Sequence, residues 1–158
     1  MPSAPFQVRP AREGDRYPLA ELFAAVAEER DGIATEPPVD LGARAESWHL
    51  EWIFVATAGD EVIGLANLDP SRFGYCDIAL AVARAWRGRG VGTALFETAI
   101  ASARDRGCHK LCLSVFAHNT AAIGLYRKLG FVEEGRRRNQ FRRQSGELWD
   151  SVEMGLLL

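Results

Sequence analysis

The 158-residue chain reads as one mixed α/β domain, class α/β with α+β character, covering residues 1–158. Three observations predict this. Apolar-rich runs of strand length recur along the chain, stretches with helical spacing of apolar residues separate them, and a glycine-rich segment at 87–92 joins a strand to a helix. A chain of this length supports a single core, and no internal repeat, low-complexity tract or linker divides it. Hydrophobic residues at 47% with charged residues at 25% exclude disorder, collagen-like repeats and a coiled coil.

The elements follow in order. Residues 6–9 alternate as a short strand ended by Pro10. Asp15 is the expected N-cap of a helix with Pro18 in its first turn, a stripe of Leu19, Leu22, Phe23 and Val26, and a stop at Asp31 and Gly32. Pro37 and Pro38 mark a loop leading into a short helix that carries Trp48 on its far side. Residues 51–58 and 61–68 form a hairpin in which Gly59 supplies a positive φ. A strand over 75–83 then leads through the glycine segment into a helix over 91–106, with Val91, Leu95, Ala99 and Ser102 on its buried face and Gly107 ending it. Residues 110–115 are strand-like, Asn119 or Thr120 caps a helix reaching Leu129, and Gly130 stops it before a strand from Phe131. Residues 148–157 make the last strand.

Charge and composition exclude several function classes. A net charge of −2 supplies no general basic field, so nucleic acid is not an expected partner. The local cluster Arg136, Arg137, Arg138, Arg142 and Arg143 reads as a charged strand edge that discourages edge-to-edge pairing, against an alternative anion-binding or substrate role. Cys76, Cys108 and Cys112 are odd in number and lack CxxC spacing, so they read as small buried apolar residues, with neither a disulfide framework nor a metal site expected. No run approaches a membrane span, and the opening Met1-Pro2-Ser3-Ala4-Pro5 has no leader pattern. The expected compartment is the reduced cytoplasm.

The glycine segment carries the chemistry. A glycine-rich turn between strand and helix presents backbone N–H groups at the positive end of a helix dipole, which suits a phosphate or pyrophosphate, and Arg87 and Arg89 add charge there. A nucleotide P-loop would need a Lys after the glycines, and none follows. A dinucleotide fingerprint would need GxGxxG, whereas the glycines fall at 88, 90 and 92. What is present is Arg-x-x-Gly-x-Gly, Arg87 to Gly92, with Asn119-Thr120-Ala121-Ala122-Ile123-Gly124-Leu125-Tyr126 downstream inside residues 115–131.

These two segments together resemble the GNAT superfamily of N-acetyltransferases, closely over about 78–135 and loosely before that; the tail weakly resembles its amino-acid, polyamine and ribosomal-protein branch. The resemblance implies a central mixed, mostly antiparallel sheet of about seven strands, splayed between strands four and five and flanked by about four helices. It implies acetyl-CoA as co-substrate and no metal. Leu80, Ala81 and Val82 would bond the pantetheine arm through their backbone, and Arg87, Gly88, Arg89, Gly90, Val91, Gly92 and Thr93 would hold the pyrophosphate. Asn119, Ala122 and Tyr126 would complete the cofactor site. Asn119 also has the plain reading of a helix N-cap, and one side chain can serve both ends.

Attack of an amine on the thioester produces an oxyanion and expels a thiolate, so it needs a donor and an acid. The resemblance assigns the donor to a backbone N–H near Ala81 and the acid to Tyr126, whose alternative is a core aromatic. Asp77 matches the place of a Glu base in some relatives; a water chain, another carboxylate (Glu28, Glu29 or Glu51) and a merely solvated strand start are its alternatives. His49, His109 and His118 read as surface or loop residues. The acceptor is a small-molecule or peptide amine, with a free amino acid leading because the arginines suit a carboxylate. The resemblance also implies a homodimer through the last strands. Two rivals stay open: an acyl-CoA-binding sensor that does not turn over, and a nucleotide-binding regulator.

Overall fold

β-branched and aromatic runs pair into one sheet because a lone strand leaves its backbone groups unsatisfied, and the amphipathic helices cover the apolar faces that remain. The computed structural model describes residues 5–158; of the opening Met1-Pro2-Ser3-Ala4-Pro5, where a leader pattern would stand, only Pro5 lies among them. The strands are β1 (Gln7–Pro10), β2 (Ile53–Ala58), β3 (Glu61–Pro70), β4 (Tyr75–Val82), β5 (Lys110–Phe116), β6 (Val132–Arg142) and β7 (Leu148–Leu157). The helices are α1 (Arg16–Glu28), α2 (Leu41–Ser47), α3 (Val91–Asp105) and α4 (Thr120–Lys128). The seven strands run in the order β1-β2-β3-β4-β5-β7-β6. All neighbours are antiparallel except β4 and β5.

Alternation along β2 divides the core. Ile53 and Val55 face one side with Leu19, Leu22, Val26 and Trp48, under α1 and α2. Phe54 and Ala56 face the other with Val91, Leu95, Phe96 and Ala99, under α3. Gly64 on β3 lets α3 approach: a Cβ there would lie 2.9 Å from Leu95 Cδ1 and 3.1 Å from a Val91 methyl. The hairpin turn has Gly59 at φ 58°, as its sequence position predicts.

One feature of the sheet positions everything functional. β4 and β5 pair only at Tyr75–Lys110, Cys76–Leu111 and Asp77–Cys112. β4 continues to Val82 and β5 to Phe116 with no ladder between them, so the sheet splays there and leaves backbone donors and acceptors of β4 free on that side. This is the opening expected between strands four and five.

Several expectations change in detail. Asp15 does not cap α1; its side chain is 7% exposed and accepts from Arg12 N at 2.8 Å and from the Arg9 guanidinium at 2.7 and 2.9 Å. A buried carboxylate is better compensated by a two-pronged guanidinium than by an N–H alone, so it locks β1 to the turn before the helix. α1 ends earlier than Asp31 and Gly32, with Arg30 in the left-handed region at φ 64°. Ser102 is half-buried, and Ala103 takes its place on the buried stripe of α3.

The cysteines are a correction. Cys76 and Cys108 form a disulfide, with Cα atoms 6.4 Å apart, while Cys112 is free. The crossover from β4 through α3 to the parallel β5 returns the chain beside its own start, which no local spacing reveals. The arginine cluster splits: Arg136, Arg137 and Arg142 lie on the outer strand β6, where Arg136 pairs with Asp150 at 2.8 Å and Arg137 with Glu153 at 3.3 Å. Arg143 is buried. Among the described residues, no helix is long and apolar enough to cross a membrane.

Candidate active site

A cavity of about 630 Å³ occupies the split, and most of the residues singled out from sequence meet there. β4 contributes Leu80, Ala81 and Val82; the glycine segment and the start of α3 contribute Arg87, Gly88, Gly90, Val91, Gly92 and Thr93; α4 contributes Asn119, Ala122 and Tyr126. Arg89 and Asp77 are not in its lining.

The glycines do different work. Gly88 and Gly90 have φ of 73° and 85° with open space where a Cβ would stand, so their requirement is conformational. Gly90 is the residue before α3, and its left-handed backbone leads into the helix, whose first N–H groups have no partner within the helix. Gly92 is a packing glycine, since a Cβ would lie 3.3 Å from both Leu125 and Leu80. We expect Gly90→Ala, which places a side chain in the left-handed region at a cost of about 1–2 kcal/mol, to weaken acetyl-CoA binding about tenfold by calorimetry. Gly124→Ala, in α4 with open space around it, should leave affinity unchanged and raise stability by about 0.5–1 kcal/mol.

The arginines of the loop are already engaged. Arg87 donates through Nε to Val82 O at 3.1 Å and through both terminal nitrogens to Glu29 at 2.6 and 2.7 Å, which holds the Glu29 carboxyl below its usual range. Arg89 lies over the Trp86 ring, 4.9 Å from its centroid. Charge at the loop therefore comes with a link to the end of α1.

Asn119 caps α4, its Oδ1 accepting from Ala122 N at 3.2 Å, and it also lines the cavity. The cap uses only the oxygen. Tyr126 packs against Phe96 and Phe131, with ring centroids 5.4 and 6.0 Å away. Burial pushes its hydroxyl pKa up to about 12, so it is protonated at neutral pH. Asp77 stands apart, on the exposed part of the sheet beside Asp69 and Glu153. Its pKa is raised, first by burial and then by those two carboxylates. Four steps along the strand separate it from Ala81, about 13 Å.

Sequence reasoning read Asp31 and Gly32 as a helix stop and His118 as a surface or loop residue; the structure places all three in the lining. Asp31, Gly32 and Ile33 come from the segment after α1, Trp86 from the turn before the glycines, and His118 from the turn after β5. His118 is stacked on Phe116, centroids 5.7 Å apart, and meets Trp149 edge-on at 4.6 Å. No periodicity marks these residues; they reach the cavity through chain topology. Among the described residues no group of His, Cys, Asp and Glu is arranged to hold a metal ion.

Comparison with known proteins matches this architecture. Residues 19–131 match the acetyltransferase (GNAT) family. An L-methionine sulfoximine/L-methionine sulfone acetyltransferase of Pseudomonas aeruginosa is 28% identical over 140 residues, covering 81% of each chain. The crystal structure of a ribosomal-protein-alanine N-acetyltransferase from Brucella melitensis matches with a TM-score of 0.86 at 28% identity, covering 96% of this chain and 99% of that one. A Salmonella typhimurium structure described as an acetyltransferase with its cofactor acetyl-CoA shares the fold, with a TM-score of 0.88 at 22% identity over 99% of this chain and 95% of that one. The chain belongs to the acetyltransferase (GNAT) family and is an acetyl-CoA-dependent N-acetyltransferase.

Proposed function

We propose that the protein, acting as one catalytic domain, transfers the acetyl group of acetyl-CoA to the primary amine of a free amino acid or similar small molecule, with a protein N-terminus as the alternative acceptor. The observation that carries this reading is the convergence in one cavity of the unpaired β4 backbone, the first turn of α3 and Tyr126. An extended pantetheine arm can take the place of the missing strand beside Leu80, Ala81 and Val82, and the left-handed glycines free N–H groups for the pyrophosphate. The likeness to a methionine sulfoximine and sulfone acetyltransferase supports the amino-acid class.

In this mechanism the amine nitrogen attacks the acetyl carbonyl carbon directly. A tetrahedral oxyanion forms, with the backbone N–H near Ala81 as its donor. The carbon–sulfur bond breaks, and the sulfur takes a hydrogen bond and then a proton from the Tyr126 hydroxyl, which regains its proton from solvent as CoA leaves. The proton shed by the amine passes through water to Asp77, which stands outside the residues that line the cavity. A homodimer through the last strands and a cytoplasmic location belong to the same proposal.

The test is CoA release from acetyl-CoA with separate pools of amino acids (methionine sulfoximine included), polyamines, aminoglycosides and N-terminal peptides. Release confined to the amino-acid pool, with an acetylated product by mass spectrometry, supports the reading. Release with another pool corrects the acceptor. Tight binding with no release from any pool favours a sensor.

A further inference from the structure

The segment following α1 supplies one wall of the cavity through Asp31, Gly32 and Ile33, yet no helix or strand contains those residues. What holds them is Arg143, in the turn after β6. Its side chain is 3% exposed. Nη2 donates to Arg30 O at 2.9 Å and Nη1 to Ala34 O at 2.8 Å, so the fork grips the two carbonyls that straddle the wall. Glu36 balances its charge at 3.7 Å. The neighbouring Gln144 donates from its backbone to Glu36 at 2.8 Å and from its side chain to Pro37 O at 2.8 Å.

The same guanidinium covers a second wall. It lies 4.5 Å from the Trp149 ring centroid and 5.0 Å from that of Phe116, the two rings against which cavity-lining His118 rests. Its Nε is buried without a hydrogen-bond partner. Burying a guanidinium and leaving one donor unpaired is costly if the turn only had to be packed, and an apolar side chain would serve that purpose better. A planar fork reaching two carbonyls is what a lysine or an apolar residue cannot supply.

We propose that Arg143 is a positioning residue for the acceptor amine: it fixes the wall formed by residues 31–33 relative to His118, and so sets acceptor affinity without touching substrate. The assignment of that wall to the acceptor rests on the acetyl-transfer reading above. Arg87 and Glu29 anchor the other end of the segment to the glycine loop, so the acetyl-CoA end has its own restraint.

Arg143→Met and Arg143→Lys test this in the full chain, with hydrogen exchange of residues 29–38, calorimetric acetyl-CoA binding, and steady-state kinetics with whichever amine turns over. Arg143→Met is expected to accelerate exchange over residues 29–38 and raise acceptor KM about tenfold or more, with acetyl-CoA affinity within about twofold and kcat within about threefold. Arg143→Lys should fall between Met and wild type. Equal losses of acceptor and acetyl-CoA affinity, or unchanged exchange over 29–38, would overturn the proposal. If Arg143→Met does not fold, exposed Gln144→Ala serves, with faster exchange at 34–36 expected and wild-type exchange overturning it. If no amine turns over, the acetyl-transfer reading fails by that result, while exchange over 29–38 still decides whether Arg143 fixes the wall.

Discussion

Replacing Tyr126 with Phe is expected to lower kcat about 10²–10⁴-fold while leaving acetyl-CoA affinity within about twofold. The ring remains, so its contacts with Phe96 and Phe131 survive and only the hydroxyl is lost. With a pKa of about 12, that hydroxyl is a weak acid, above the thiol reference of about 8.5. Complete proton transfer to a free thiolate is therefore uphill, so most of the contribution lies in a hydrogen bond that strengthens as charge gathers on sulfur, and the proton passes only as CoA departs. The pH profile checks this. Raised above its reference value, Tyr126 stays protonated through the neutral and mildly alkaline range and adds no falling limb to kcat until pH approaches 12. A Phe variant of wild-type kcat would return Tyr126 to the role of a core aromatic.

Phe96→Ala should cost about 3–5 kcal/mol by urea unfolding. The side chain is 0% exposed and lies under both Tyr126 and Phe131, at centroid distances of 5.4 and 5.8 Å. The cavity left behind can collapse only if α4 moves toward α3, and Gly92, already close to Leu125, limits that movement. A loss of this size is a large fraction of the about 5–15 kcal/mol that stabilises a typical domain. Activity should fall further than stability at a temperature where the variant is still folded, because Tyr126 loses the surface that fixes its ring. A cost below about 1 kcal/mol would show that α4 is held from elsewhere.

Local chemistry was legible from the residues alone. Gly59, Gly90, Gly107 and Gly130 all adopt positive φ where a turn or helix end requires it. Asn119 caps α4, and the apolar stripe of α3 faces the sheet, because such preferences depend on neighbours within one or two helical turns. The strand–glycine–helix succession and the downstream Asn119 to Tyr126 segment were enough to identify the family and its opened sheet.

What required the tertiary structure is the set of contacts between distant parts of the chain. Asp15 serves Arg9 instead of α1, Cys76 meets Cys108 across a parallel crossover, and Arg143 is buried on the carbonyls of Arg30 and Ala34 while its neighbours line an exposed edge. Asp77 lies outside the cavity, and His118 and residues 31–33 lie inside it. Sequence spacing determines which residues share a face of one helix or strand. Which faces then meet, and which carbonyls are left for a buried guanidinium, depends on how the sheet orders β4, β5 and β7, and that order is encoded in the sum of long-range packing rather than in any one segment.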